Sequence, residues 1–322
     1  MNKTLDKTKK YKNYAELPLE KLCDMVANMD VAYEDVACFI ESKVYSHCLN
    51  GNYKNTINQL KKMVALFETM ENKNEENCRD LADIYLLIGE VYQFLGYFKE
   101  SIEWFKKAAI IDDLYSMPYH ALSVSYLELG DIKNAIKSLE QEIQLEPGNY
   151  FSYFKLAELY EKTKDIKKEN ELLKTLIERN PQNIQALHKL ILNYEKKKSK
   201  SNIDLSLLRK RLLNISNKNL NELEIMIKVY HYCAENKLEE AYSFINSFLA
   251  ENLSNPTLHL LKAYILGKMH RISSKRAELM EFIKTCYNKT EYIKSKLNEF
   301  EQIFGKNSSS HIEKILLFTN LK

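Results

Sequence analysis

Seven histidines and six cysteines are the side chains of this sequence best suited to hold a metal or act as nucleophiles. Cys23, Cys38, Cys48, Cys78, Cys233 and Cys286 form no CxxC pair, and their irregular spacing matches neither a zinc site nor a disulfide framework. They read as reduced thiols on helix faces. His231 and Cys233 stand two apart in a tyrosine-rich stretch, a spacing that sends helical side chains to different faces, so packing accounts for them better than a metal. No Walker loop, GxGxxG, HExxH or calcium loop occurs, and no Ser/His/Asp set can be assembled. No catalytic residue, metal or cofactor is therefore expected, and the chain reads as a non-enzyme. The one concentrated basic feature is Lys196–Lys200 with Arg209, Lys210 and Arg211 nearby. An RNA-associated or regulatory role through this 196–211 segment is the alternative it supports. A solvated turn and an exposed helix face explain it as well, because no aromatic residues interleave to stack bases.

The elements that must position any such residues are helical. Seven Gly and five Pro in 322 residues cannot punctuate a many-stranded β-protein. Forty-seven basic and forty-four acidic residues leave a net charge of +3, too balanced to point to nucleic acid as a partner. Residues 1–14 are basic and polar, with no apolar run behind the charges, unlike a secretory signal. No window approaches eighteen consecutive apolar residues, so no membrane span is expected and the chain is placed in the cytoplasm.

Stacking residues 82–183 exposes a period of 34. Tyr85, Tyr119 and Tyr153 form one column and Tyr92, Tyr126 and Tyr160 another. Ile88, Leu122 and Leu156 share a third, with the small residues Gly89, Ser123 and Ala157 beside it. Gly96 and Gly130 fall where the chain must turn between two helices, and Phe105, Leu139 and Leu173 lie on the second helix. Pro147 and Pro181 close consecutive units. Tyr119, Leu122 and Tyr126 are spaced as one helical stripe, and the small column predicts close approach of the second helix.

These columns, carried by residues 86–113 and 121–147, resemble the tetratricopeptide repeat family. Departures are Asp113 at a position usually closed by Pro, Lys164 for the turn Gly of the third unit, and Glu169 for a small residue of its second helix. The resemblance implies an all-α fold, a right-handed α-α superhelical solenoid of stacked helix pairs. The expected organisation is a basic tail at 1–14, a capping helix at 15–36, a related unit at 37–70 and a polar, acidic insertion at 71–81. Repeats follow at 82–115, 116–149 and 150–183, then a degenerate unit at 184–217, a further unit at 222–255 and a C-terminal helical cap at 257–322.

The same resemblance implies that first helices line a concave groove able to hold a protein or peptide partner. The candidate binding residues are Leu86, Phe94, Met117, His120, Leu127, Phe151 and Phe154. Further wall positions are Glu90, Gln93, Val124, Lys155, Glu158, Lys162, Gln185, His188, Lys189 and Leu192. Two readings stand: a groove with apolar anchors for a peptide or helix, or side chains packed against neighbouring helices or the chain's own ends. Leu86, Glu90 and Ala121 occupy places where family members that clamp an acidic C-terminus carry Lys, Asn or Arg, so that ligand is not expected.

Overall fold

A computed structural model describes residues 14–70, 75–197, 204–286 and 290–305; all regular structure among them is α-helical. The basic tail, the Lys198–Lys200 part of the basic run and the expected last helix after Gly305 lie outside the described residues. The chain divides into two compact units, Met1–Glu169 and Asn170–Lys322.

The first unit contains α1 (Leu19–Ala27), α2 (Tyr33–Leu49), α3 (Tyr53–Thr69), α4 (Glu75–Phe94), α5 (Phe98–Ile111), α6 (Met117–Glu128), α7 (Ile132–Leu145) and α8 (Tyr150–Lys162). Helix α9 (Ile166–Arg179) spans the division. Consecutive helices pack as stacked pairs: α2 on α3, α4 on α5, α6 on α7, with α5 against α6 and α7 against α8 joining pair to pair. First helices also touch directly, α2 against α4 and α4 against α6. The core runs through Ile40, Leu60, Met63, Leu81, Ile84, Ile88 and Ala108, all at or near zero exposure. Gly89 shows why the small column is small. A Cβ there would meet the Phe105 ring at 2.4 Å, so the second helix lies directly on the backbone of the first.

The second unit contains α10 (Ile184–Lys197), α11 (Leu205–Leu213), α12 (Glu222–Ala234), α13 (Leu238–Glu251), α14 (Pro256–Lys268), α15 (Ile272–Thr285) and α16 (Thr290–Phe304). Asn221 caps α12 through a capping box with Glu224. Helices α14 and α15 form a further tightly packed pair. Ile293, Leu297 and Phe300 of α16 close the apolar core of this unit.

One backbone device ends six of the first helices, α2, α4, α6, α8, α12 and α14. At Gly51, Gly96, Gly130, Lys164, Asn236 and His270 the chain enters the left-handed region, φ between 56° and 77°. Each makes the same two hydrogen bonds. For Gly96 these are its own N–H to Gln93 O and that of Tyr97 to Tyr92 O; for His270, its own N–H to Gly267 O and that of Arg271 to Leu266 O. This paired arrangement satisfies carbonyls that the helix end leaves open. Asn236 and His270 are 34 residues apart, so the period persists where no glycine marks it. Gly51 and Gly96 are 45 apart, the period lengthened by eleven. Of the inserted residues, those from Glu75 onward are extra turns at the start of α4, which reaches 20 residues against 12 in α6.

Lys164 holds φ 60° with a side chain that disfavours it. Lys164→Gly is therefore expected to stabilise the protein by about 1 kcal/mol in urea unfolding. Gly89→Ala, opposed by the Phe105 ring, should destabilise it by about 1–3 kcal/mol.

Candidate functional site

The repeat register places Asp83, Met117 and Phe151 at one position of successive first helices, 34 apart. Met117 is 45% exposed and Phe151 56%, while Phe94, near the end of α4, is 57% exposed. These three present apolar surface to solvent. Leu127 and Phe154 are half-buried and border the same helices. The His120 ring lies 6.2 Å from that of Phe151, joining α6 to α8, and Lys155 Nζ sits 5.4 Å from the Phe151 ring centre.

Leu86 does not belong to this set. It is 7% exposed and packs with Ile102, Phe105, Ala121 and Leu122. At its position α5 and α6 close over α4, so an apolar side chain there is consumed by pair-to-pair packing. Gln93 is likewise turned to internal use: its Nε2 donates to Ser125 Oγ at 2.8 Å and to Ala121 O at 3.2 Å, fastening α4 to α6.

His120 depends on a residue the sequence did not single out. Glu142 on α7, 2% exposed, accepts hydrogen bonds from Ser152 Oγ at 2.5 Å and Asn149 Nδ2 at 2.8 Å. Its second oxygen lies 3.2 Å from His120 Nδ1. That hydrogen bond raises the His120 pKa, outweighing burial, which acts the other way. A raised histidine pKa stabilises the fold fully below the unfolded value of about 6.5, and this stabilisation is lost as pH rises through the folded pKa.

A second set lies on α2 and α4. Glu76, Asp80, Asp83, Leu87, Glu90 and Phe94 alternate at spacings of four and three, one stripe of α4. Tyr45 of α2 donates to Glu90 Oε2 at 2.8 Å, and Tyr115 donates to Asp83. Arg79 Nε pairs with Asp112 at 2.6 Å, and its guanidinium stacks 4.1 Å from the Tyr115 ring centre. Burial first, and then neighbouring carboxylates, raise the carboxyl of Asp80 to about 6, with Asp83, Glu76 and Glu34 as those neighbours. Burial also raises Asp83, Glu90 and Glu41. The signal was present in the four-three spacing, but reading 71–81 as a separate insertion cut the stripe.

In the second unit the expected wall residue His188 is buried. Its Nδ1 lies 3.0 Å from His231 Nε2. Burial lowers the pair to about 4 and about 3, so both rings are neutral and one donates to the other. His231 thus packs, as its spacing from Cys233 indicated. Arg209 of the basic segment is bonded to Glu235 at 2.9 Å and to Glu195, leaving Lys210 and Arg211 exposed. Among the described residues no group of three His, Cys, Asp or Glu could hold a metal ion, and no helix is long and apolar enough to cross a membrane.

The tetratricopeptide repeat family model matches residues 82–112, 118–149 and 152–183. Residues 82–183 thus carry tetratricopeptide repeats, within an all-α fold of stacked helix pairs. Solved structures similar to it include a MamA protein, 19% identical, with 62% of this chain and 98% of that one covered at a TM-score of 0.42. Others are the putative kinesin light chain repeats of Podosopora anserina (16% identity, coverage 54% and 92%, TM-score 0.38) and the APC/C Cut9–Hcn1 hetero-tetramer (13%, coverage 87% and 58%, TM-score 0.40). No curated protein matches the chain.

Two titrations check this electrostatic description. In a proton NMR titration His120 should have a midpoint above that of a free histidine, and Glu142→Gln should lower it. For Asp80, the folded state holds its proton more tightly than the unfolded chain, so stability falls as pH rises from about 4 to about 6 and the penalty is complete above that. Asp80→Asn should therefore raise stability by about 1–2 kcal/mol at pH 7 and by almost nothing near pH 3.5.

Proposed function

We propose that this chain is a non-catalytic adaptor whose first-helix face in the first unit docks a protein or peptide segment, as the concave wall of a repeat array. The observation that carries this reading is the placement of Met117 and Phe151 at one repeat position, both substantially exposed, with Phe94 exposed on the preceding first helix. A stacked array has ample opportunity to bury such side chains, and apolar exposure recurring at one repeat position marks a docking surface more than it serves the fold. His120, Leu127 and Phe154 supply the floor beside them, and apolar anchors seated between helices suit an extended or helical segment. Leu86 acts beneath this surface and touches no ligand.

The cytoplasmic placement is kept as part of the proposal. Cys23, Cys48 and Cys286 are each buried as free thiols, an arrangement suited to a reducing compartment. The alternative through residues 196–211 draws no support from Arg209, whose charge is already met by Glu195 and Glu235.

Met117→Asp combined with Phe151→Asp should remove captured partners from cell extract while the helical circular dichroism signal and melting temperature stay within a few degrees of the parent. Binding of one captured and then purified partner should fall at least about tenfold, the loss expected for one or two desolvated anchors. Undiminished binding by the folded double variant would move the docking surface elsewhere.

A further inference from the structure

The docking face changes character along its length. Over α6 and α8 it is apolar, whereas over α2 and α4 it is acidic. We propose that the α2–α4 part of this face receives the lysine or arginine side chains of a basic peptide segment, so that the partner carries cations at one end and apolar anchors at the other. The proposal rests on the reading of the first-helix face as a docking surface and names the chemistry of what docks there.

Four observations carry it. First, the carboxylates are arrayed, not convergent. Glu76, Asp80, Asp83 and Glu90 run along one stripe of α4, and Glu76 to Glu90 spans about 21 Å at 1.5 Å per residue. Glu34 and Glu41 lie on the adjacent helix α2, near enough to raise Asp80 and Glu90 respectively. Several cations spaced along a chain fit such a row, and a single metal ion does not.

Second, the added turns at the start of α4 bring Glu76, Arg79 and Asp80 to this face, so the departure from the repeat period lengthens the acidic stripe. Third, the Tyr33 side chain is 2% exposed, and its hydroxyl has no hydrogen-bond partner among the described residues. The groups acting on it are Asp83, Glu41, Asp80 and Tyr115, so it points into the acidic set as an unused polar group. Fourth, one cation already shows the mode of recognition. Arg79 stacks on the Tyr115 ring and bonds Asp112, a guanidinium held between an aromatic face and a carboxylate. Tyr45, exposed and bonded to Glu90, offers a second such aromatic beside a carboxylate.

Like charges held together are costly when no cation answers them, and a cationic ligand relieves that cost. In the free protein burial is the largest cause of the raised carboxyls on this face and neighbouring carboxylates add to it, while Arg79 and the Tyr115 and Tyr45 hydroxyls act the other way on Asp83 and Glu90. The same signs exclude nucleic acid here.

The test is fluorescence anisotropy on the full chain with two labelled synthetic peptides sharing identical apolar residues, one carrying Lys and Arg and the other Glu at the same positions. The basic peptide should bind at least about tenfold more tightly at low salt, with the preference shrinking as salt is raised. Asp83→Asn with Glu90→Gln should cut its affinity about tenfold. Glu41→Gln with Glu76→Gln, both at exposed sites, should weaken it in the same direction. Glu100→Gln with Asp113→Asn, exposed elsewhere, should leave it unchanged.

Absence of any preference for the basic peptide overturns the proposal, as does equal weakening by the control pair. Equal binding of both peptides, lost in the Met117/Phe151 variant, would keep the docking face and remove its acidic selectivity. If the basic peptide binds only after Lys9, Lys10 and Lys12 are changed to Gln in the full chain, the face belongs to the chain's own basic N-terminal segment, and the external partner is ruled out.

Discussion

The second helix of a pair lies against the first only as closely as the first helix's small residue permits. At Gly89 that approach is extreme, with the Phe105 ring resting where a side chain would begin. Ser123 and Ala157 hold the equivalent place in the next two units and are nearly as buried. From this contact the rest follows. Once the pair is closed, Leu86, Ile102 and Phe105 form an apolar surface that Ala121 and Leu122 of the next pair must cover. A single pair leaves that surface exposed, so stability accrues only by stacking. Burial demand therefore falls on certain helix positions and releases others, and the released positions of first helices are where chemistry towards a partner becomes possible.

The same logic explains what the sequence made legible. Columns of Tyr, Leu and small residues report packing, and packing recurs with the period, so the helix pairs from 82 to 183 could be read directly. Turn positions were legible where glycine stands, and at Lys164 where the flanking columns fix the register. Lys164, Asn236 and His270 make the same left-handed turn with the same two backbone hydrogen bonds. The cost of a side chain there, about 1 kcal/mol, is small against a stacked pair, so evolution need not keep glycine and the mark disappears. The pair formed by α14 and α15 went unread for that reason. Wall positions were read less well because the period identifies a column without saying how far the next pair covers it. Leu86, His120 and Phe154 share one column, yet the first is buried and the other two are partly open.

Buried polar groups separate into two kinds, and the difference bears on function. Lys228, with no exposed surface, donates to Ile215 O at 2.6 Å and Asn217 Oδ1 at 2.5 Å. Burial lowers its pKa to about 8, and its hydrogen-bonding directions are answered from within the fold. Glu142 is similar, with Ser152, Asn149 and His120 arranged around it. These are structural networks, where nearly every donor meets an acceptor and the polar group specifies how elements join. The His188–His231 contact is only partly of this kind: both rings are held neutral by burial and share one hydrogen bond, while His231 Nδ1 has no partner among the described residues.

The acids of α2 and α4 are of the other kind. Burial and then Asp83 raise Asp80, Glu41 adds to the burial of Glu90, and the Tyr33 hydroxyl stands among them without a hydrogen-bond partner among the described residues. Tyr115 and Tyr45 donate to Asp83 and Glu90, but the carboxylates around Asp80 add to the cost of burying it. Packing accounts for Leu87, which faces the same way and is buried, but it does not account for the charges on either side of it. What distinguishes the set is the crowding of carboxylates on one stripe, with Glu76 and Glu41 exposed and Asp80 buried, along a helix lengthened beyond the repeat. Groups whose electrostatics are incomplete within the chain are those that a partner can complete. On the proposed reading that component is positive charge, delivered at several points along a line that ends beside the exposed ring of Phe94.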